Sequence, residues 1–249
     1  LREVDALAVV LRCFGADAAP ADELATVRSE LLLADLAVVE SALAKARKRA
    51  RGAPAPEIGA LEAAEATLGS GTALREAGLD AETRAHLRGL APLTLKPEVV
   101  VANLEEGTDV PEELRVEGAV GVYASIEAET AEMDPEEARA LLAEFGVTAP
   151  GLETVIAACY RALDLITVLT TGEDETRAWE VRRGATAPEA AGAIHTDLER
   201  GFIRADAVGY EDLVEAGSLE AAKAAGKVRV EGKDYVVREG DVLHVRFSV

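Results

Sequence analysis

Apolar residues in this chain follow two rhythms, and the change between them divides the sequence. Between residues 28 and 51 the positions Leu32, Leu36, Val39 and Leu43 stand four, three and four apart, which places them on one face of a helix. The breaker Gly52-Ala-Pro-Ala-Pro56 interrupts the pattern, which resumes through Ile58, Leu61 and Leu68, so an antiparallel helical hairpin is expected. Three other stretches, residues 5–12, 99–102 and 119–122, are apolar at nearly every position, as strands buried on both faces of a parallel sheet are. A helix is predicted from Asp134-Pro-Glu-Glu137, which offers an N-cap, a proline in the first turn and a glutamate three residues after the cap; Gly146 ends it. Another amphipathic helix runs from Leu152 through Val155, Ile156, Cys159 and Leu163. Strands alternating with helices predict an α/β architecture with a helical insertion.

After Thr170 the period shortens to two. Alternating runs at residues 178–182, 202–208, 227–230, 234–237 and 242–247 predict short strands. Among them Thr186-x-x-Glu189, with Pro188 inside it, forms a capping box that opens a helix. A small mixed sheet packed on a helix, a β-grasp-like domain, is the expectation for this part. The acidic stretch Thr170-Thr-Gly-Glu-Asp-Glu175 reads as a solvated loop leading into it.

With 249 residues, 49% of them hydrophobic and 29% charged, the chain has the makeup of a folded globular protein. No apolar run approaches the roughly 18 to 20 residues that span a bilayer, and no signal sequence opens the chain, so a cytoplasmic protein without a membrane partner is expected. Cys13 and Cys159 lie in apolar periodic segments without CxxC spacing, which predicts buried, reduced thiols rather than a disulfide or a metal site. The 26 basic and 46 acidic residues leave a net charge of −20, which repels polyphosphate at long range and argues against DNA binding and against broad coating of RNA. Any RNA contact must then be local. Lys45, Arg47, Lys48, Arg49 and Arg51 place five cations in seven residues near the end of the first hairpin helix. They either complement the negative end of the helix dipole or meet phosphates.

Val99-Val-Val-Ala-Asn103-Leu104-Glu105-Glu106 carries the most chemistry. In P-loop GTPases a buried strand ends in N-K-x-D, whose asparagine braces a neighbouring loop and whose aspartate accepts both N–H donors of guanine. Here Leu104 stands at the lysine position and Glu106 at the aspartate position. The longer carboxylate is displaced from the guanine edge, and adenine offers no matching donor pair. The pattern therefore discards guanine selection and leaves Leu104 to make apolar and backbone contact with a base.

In order along the chain, these segments resemble the YchF, or Obg-like ATPase, family of P-loop NTPases. Arg2-Glu-Val-Asp5 and Val9-Val-Leu-Arg-Cys-Phe14 are similar to the family's R-E-x-D…V-x-R-C-F stretch, and Glu30-Leu-Leu-Leu-Ala-Asp-Leu36 to the start of its helical arm. Leu93-Thr-Leu-Lys-Pro97 is similar to the approach to its NxxE loop. Tyr123-Ala-Ser-Ile-Glu127 falls where its last base-contacting loop lies, although relatives usually carry a smaller residue at the Tyr123 position. From Arg177-Ala-Trp179 through Ile194-His-Thr-Asp197 and Gly201-Phe-Ile-Arg204 to Gly240-Asp-Val-Leu243, the last third resembles the family's C-terminal TGS domain. The resemblance implies part of a P-loop NTPase sheet over residues 1–27 and 91–164, a coiled-coil arm over 28–90 and a TGS β-grasp domain over 165–249. It also implies ATP hydrolysis with Mg2+, association with the ribosome, and base contacts from Asn103, Leu104, Glu106 and the backbone of Ala124.

Two motifs depart from that pattern. Nothing matches G-x-x-x-x-G-K-[ST] or D-x-x-G, which hold the phosphates and Mg2+. The loop after Phe14 is short and lacks the H-V-x-G segment associated with hydrolysis. The phosphate-transferring residues are thus expected upstream of Leu1, with no catalytic residue or metal ligand in this chain, which alone should be inactive. A non-enzymatic ribosome- or RNA-binding adaptor using the arm and the TGS domain is the alternative, and a generic acidic interaction scaffold a weaker one. His195 and Asp197 lack the serine of a hydrolase elbow and read as surface or capping residues, while His86 and His244 stand alone and read as structural.

Overall fold

A computed structural model describes residues 1–50, 56–147, 149–171 and 175–248, which form two compact units, Leu1–Ala162 and Leu163–Val249. The first contains β1 (Leu7–Cys13), α1 (Pro20–Ala50), α2 (Pro56–Gly69), α3 (Ala81–Leu87), β2 (Glu98–Leu104), α4 (Glu112–Arg115), β3 (Val120–Val122), α5 (Ala124–Thr130), α6 (Pro135–Glu144) and α7 (Gly151–Leu163). Its three strands are parallel in the order β1-β2-β3. The central strand explains the unbroken apolar run: Val100, Ala102 and Leu104 pack with Leu24 of α1, while Val99 and Val101 pack with Ala158 of α7. Both faces are covered, so neither can be polar.

The first hairpin helix begins well before residue 28. Pro20 suits a first turn, and Asp22 and Glu23 complement the positive end of the helix. These early turns bury Leu24 against the sheet rather than in the hairpin, so the hairpin stripe did not reveal them. Farther along, Val39, Leu43 and Ala46 of α1 meet Leu61, Ala64 and Leu68 of α2. Arg47 pairs with Glu62 at 2.8 Å and Arg49 with Glu57 at 3.0 Å, a crossed order that requires antiparallel helices. Arg51 and most of the breaker lie outside the described residues.

Asp35, in the middle of α1, is fully buried. Its carboxylate accepts from Leu93 N at 3.0 Å, from Thr94 N at 2.7 Å, from Thr94 Oγ1 at 2.8 Å and from Arg2 Nη1 at 2.9 Å. Three separate sequence motifs, Arg2-Glu-Val-Asp5, the Asp35 segment and Leu93-Thr-Leu-Lys-Pro97, thus meet at one carboxylate. A second tie sits at the start of β2, where Glu98 binds Arg28 of α1 at 2.7 Å and Arg75 at 3.1 Å.

The second unit contains β4 (Leu165–Thr171), β5 (Thr176–Arg182), α8 (Ala187–Ile194), α9 (Thr196–Arg200), β6 (Phe202–Gly209), α10 (Tyr210–Ala216), α11 (Leu219–Ala224), β7 (Arg229–Glu231) and β8 (Asp241–Phe247). Its sheet runs β5-β4-β8-β6-β7, with β4 and β8 parallel and the remaining pairs antiparallel. Ile166, Val168, Ala205, Ala207 and Leu243 pack on Ala187, Ala190 and Ala191 of α8, and the capping box at Thr186 and Glu189 is formed. On the other face Val208 and Val242 pack with Ala222 of α11. Arg177 stacks on Trp179, two residues along the same strand, at 4.3 Å from the ring centre.

Three expectations need correction. Residues 234–237 form no strand: Val236 makes an isolated bridge to Thr186, and the backbone of Tyr235 and Val237 bonds to Ala187 and Ala185 instead. Thr170 and Thr171 belong to β4 rather than to a loop, with residues 172–174 outside the described set. β4 itself was hidden because Leu165 to Leu169 continues the apolar run of α7; the left-handed backbone of Asp164, φ 53°, separates the two. Cys13 and Cys159 are free but half-buried, not buried. Burial raises the Cys13 thiol above its usual pKa. No helix among the described residues is long and apolar enough to cross a membrane.

Candidate functional site

Parallel strands end at one edge of a sheet, and loops leaving that edge converge. Cys13 is in register with Leu104, and Asn103 with Val122, so the residues following β1, β2 and β3 emerge side by side. They enclose a cavity of about 530 Å3 lined by Phe14, Asn103, Leu104, Glu105, Glu106, Tyr123, Ala124 and Ser125. Asn103, Leu104, Glu106 and Ala124, separated in sequence by as much as the whole of β3 and α4, are thereby brought together.

Asn103 stands at the penultimate position of β2, and its Oδ1 accepts from Ala124 N at 3.3 Å, bracing the loop after β3. Leu104 is almost wholly buried in the core with Leu11 and Leu114. A Cβ placed on Gly121 would stand 2.8 Å from Leu104 Cδ1, so this side chain fills the space a glycine leaves beneath the sheet edge. Phe14 and Tyr123 bring aromatic rings to the same lining. Tyr123 opens the loop that the resemblance places at the base, whereas Phe14 is found only through the register of the strand ends.

The turn after β2 is held by Thr108, whose N and Oγ1 both donate to Glu105 O at 3.1 and 2.6 Å, while Gly107 adopts φ 76°. Glu106 is exposed at the rim, and among the described residues no cation lies within 4 Å of it. Tyr123 donates through its hydroxyl to Thr108 O at 2.7 Å. Burial, with a smaller contribution from the charge of Asp109, pushes the phenol above its usual pKa, so it remains a donor at neutral pH. Glu127 closes the arrangement: Oε1 accepts from Tyr123 N at 3.0 Å and Oε2 from Gly151 N, the first residue of α7, at 2.6 Å.

A larger groove, about 780 Å3, lies on the hairpin between Ala37, Val38, Ala42 and Leu90, with Lys45, Lys48 and Arg49 along it. Of the cations that either complement the helix dipole or meet phosphate, Arg47 and Arg49 are paired with α2, whereas Lys45 and Lys48 have no carboxylate within 4 Å among the described residues. His195 acts within the fold, where its Nδ1 accepts from Asp197 N at 3.1 Å and caps α9. His86 and His244 lie in α3 and β8.

Comparison with known proteins points one way. Residues 165–248 match the family YchF-GTPase_C, described as a protein of unknown function (DUF933). The ribosome-binding ATPase YchF of Haemophilus influenzae is 43% identical over 270 aligned positions, covering the whole of this chain and 74% of the relative. That of Bacillus subtilis is 39% identical, covering the whole chain and 75% of the relative. Among solved structures, the YchF GTPase of Schizosaccharomyces pombe superposes with a TM-score of 0.84 at 29% identity, over 98% of this chain and 73% of that one. The α/β architecture, the helical hairpin and the mixed five-stranded sheet are thus shared along almost the full length, and the chain belongs to the YchF family.

Proposed function

We propose that this chain provides the base-recognition edge, the ribosome-contacting arm and the TGS domain of a cytoplasmic ATP hydrolase. In this reading residues 1–27 and 91–164 are the nucleotide-binding part, 28–90 the arm and 165–249 the TGS domain. The observation that carries it is the meeting of Asn103, Leu104, Glu106 and Ala124 around one cavity at the strand ends. Asn103 orients the loop after β3, so that Ala124 presents its backbone to the base. Leu104 contributes through its main chain, since its side chain is buried in the core, and Phe14 and Tyr123 supply the apolar walls. Glu106, lacking the N-K-x-D geometry, does not select guanine.

The two bacterial relatives are named ribosome-binding ATPases, which supports ATP as the nucleotide and the ribosome as the partner. Phosphate transfer draws on backbone N–H groups, a lysine and Mg2+ at a phosphate loop. No sequence here matches that loop, so the phosphate and Mg2+ contacts are assigned to residues outside these 249 and the chain alone does not turn over ATP. Lys45 and Lys48, with Arg49 beside them, are the proposed contacts to ribosomal RNA.

Adenosine titrated into the 15N-labelled chain tests the base edge. Shifts confined to the amides of Asn103, Glu106, Ala124 and Ser125, and lost in Asn103→Ala, are expected. Shifts scattered over the surface, or none at millimolar adenosine, would overturn the reading and favour the non-enzymatic adaptor.

A further inference from the structure

We infer that Tyr123 sets the base selectivity of this edge by pinning the turn that carries Glu106 to the loop that carries Ala124. The inference rests on the base-edge reading above. Glutamate has one more rotatable bond than aspartate, so a loose turn would let the Glu106 carboxylate swing to where it accepts from both N–H groups of guanine. Excluding guanine therefore requires a fixed turn as well as a longer side chain.

The turn has little else to fix it. Residues 105–109 are all exposed, and apart from the bonds between Thr108 and Glu105, the hydroxyl of Tyr123 makes the only side-chain hydrogen bond that reaches them from outside, among the described residues. Tyr123 in turn is held firmly. Its ring packs between the cluster of Leu104 and Leu114 and that of Ile126, Leu142 and Val147, and its N–H is bound by Glu127, itself anchored on Gly151 N. The phenol is thus a strut from the core to the turn, and it lines the cavity it shapes. Discrimination of this kind works by denying the wrong ligand its partner.

Tyr123→Phe removes the pin and keeps the ring. In the 249-residue chain, deuterium exchange of the Thr108 amide, which donates to Glu105 O, should accelerate about three- to tenfold, the worth of one hydrogen bond. The ratio of adenosine to guanosine affinity, measured by ligand-observed NMR, should fall by a similar factor through tighter guanosine binding, with adenosine almost unchanged. Unaltered exchange in the variant overturns the inference by itself, whatever the ligands do. Faster exchange with an unaltered affinity ratio overturns the link to selectivity while leaving the base edge intact. A wild-type chain that binds neither nucleoside in the cavity overturns the base-edge reading and this inference together.

Discussion

Carboxylates are used differently in the interior of the second unit and at the strand ends of the first. In the second, Asp241 accepts from Arg229 at 3.2 Å, Tyr235 at 2.7 Å and Arg238 N at 2.9 Å, and Asp206 accepts from Arg246 at 2.8 Å with Lys223 at 3.8 Å. Both of these buried carboxylates are answered within the fold. The first unit does the same at Asp35, yet at the ends of its strands Glu105 and Glu106 stand exposed beside a cavity with no cation within 4 Å among the described residues. A buried charge left unanswered costs several kcal/mol, so it must be satisfied from inside and has nothing left to offer a ligand. Carboxylates without a partner therefore stand where solvent already serves them, as Glu105 and Glu106 do at the open edge of the parallel sheet.

The strongest test of that division is Asp35→Ala. It strands two backbone N–H groups, a hydroxyl and a guanidinium that share one buried acceptor, and should cost about 3 to 5 kcal/mol in chemical denaturation. Glu106→Gln should stay within about 0.5 kcal/mol, as an exposed substitution without partners does. Comparable losses at the two sites would erase the distinction between architectural and available carboxylates.

Gly121→Ala comes next. The new methyl would meet Leu104 Cδ1 at 2.8 Å and Val110 Cγ2 at 3.0 Å, overpacking the floor of the cavity. A loss of about 1 to 3 kcal/mol is expected, together with weaker adenosine binding, because Leu104 must move and Asn103 and Glu105 flank it in sequence. A stable variant with unchanged binding would show that the floor is not coupled to the rim.

How much of this was legible beforehand depended on whether a signal was local. The strands of the parallel sheet, the hairpin stripe and the caps at Asp134 and Thr186 could be read directly, since each is written in a few consecutive residues. The early turns of α1 and the strand β4 could not, because their apolar residues belong to a different core from that of their neighbours in sequence. Residues 234–237 alternate like a strand, but Tyr235 is drawn to Arg229 and Asp241, and its backbone serves the loop before α8. At the candidate site, it is the resemblance that points to Asn103, Leu104, Glu106 and Ala124. The inward packing of Leu104 and the strut at Tyr123 could not be read, because both depend on contacts across strands.

A smaller effect should appear on acidification. The hydrogen bond from Arg246 outweighs burial and lowers the Asp206 pKa below its ordinary value, with Arg246, Lys223 and His244 adding favourable charge. A carboxylate whose folded pKa lies below its unfolded value, about 3.9, stabilises the fold above that value. The contribution is lost as pH falls through the folded pKa. Thermal melting from pH 6 to pH 2 should therefore show a shallower acid limb in Asp206→Asn than in the parent chain. Parallel acid limbs would mean that other carboxylates carry the dependence.

Cations offer the mildest and most selective test of the same principle. Arg47 and Arg49 are engaged by Glu62 and Glu57 of α2, while Lys45 and Lys48, on the same helix end, have no such partner among the described residues. If free charge marks what a partner can reach, Lys45→Gln with Lys48→Gln should weaken cosedimentation with ribosomes more than Arg47→Gln with Arg49→Gln. The two lysine changes should also flatten the logarithmic salt dependence by about 0.7 to 0.9 for each phosphate contact removed. Melting should separate the pairs in the opposite sense, since only the arginine changes break ties between α1 and α2. Should the arginine pair prove the more damaging to cosedimentation with its melting midpoint unchanged, the ion pairs to α2 would be the ones exchanged for phosphate on docking, and the paired charges, not the free ones, would mark the interface.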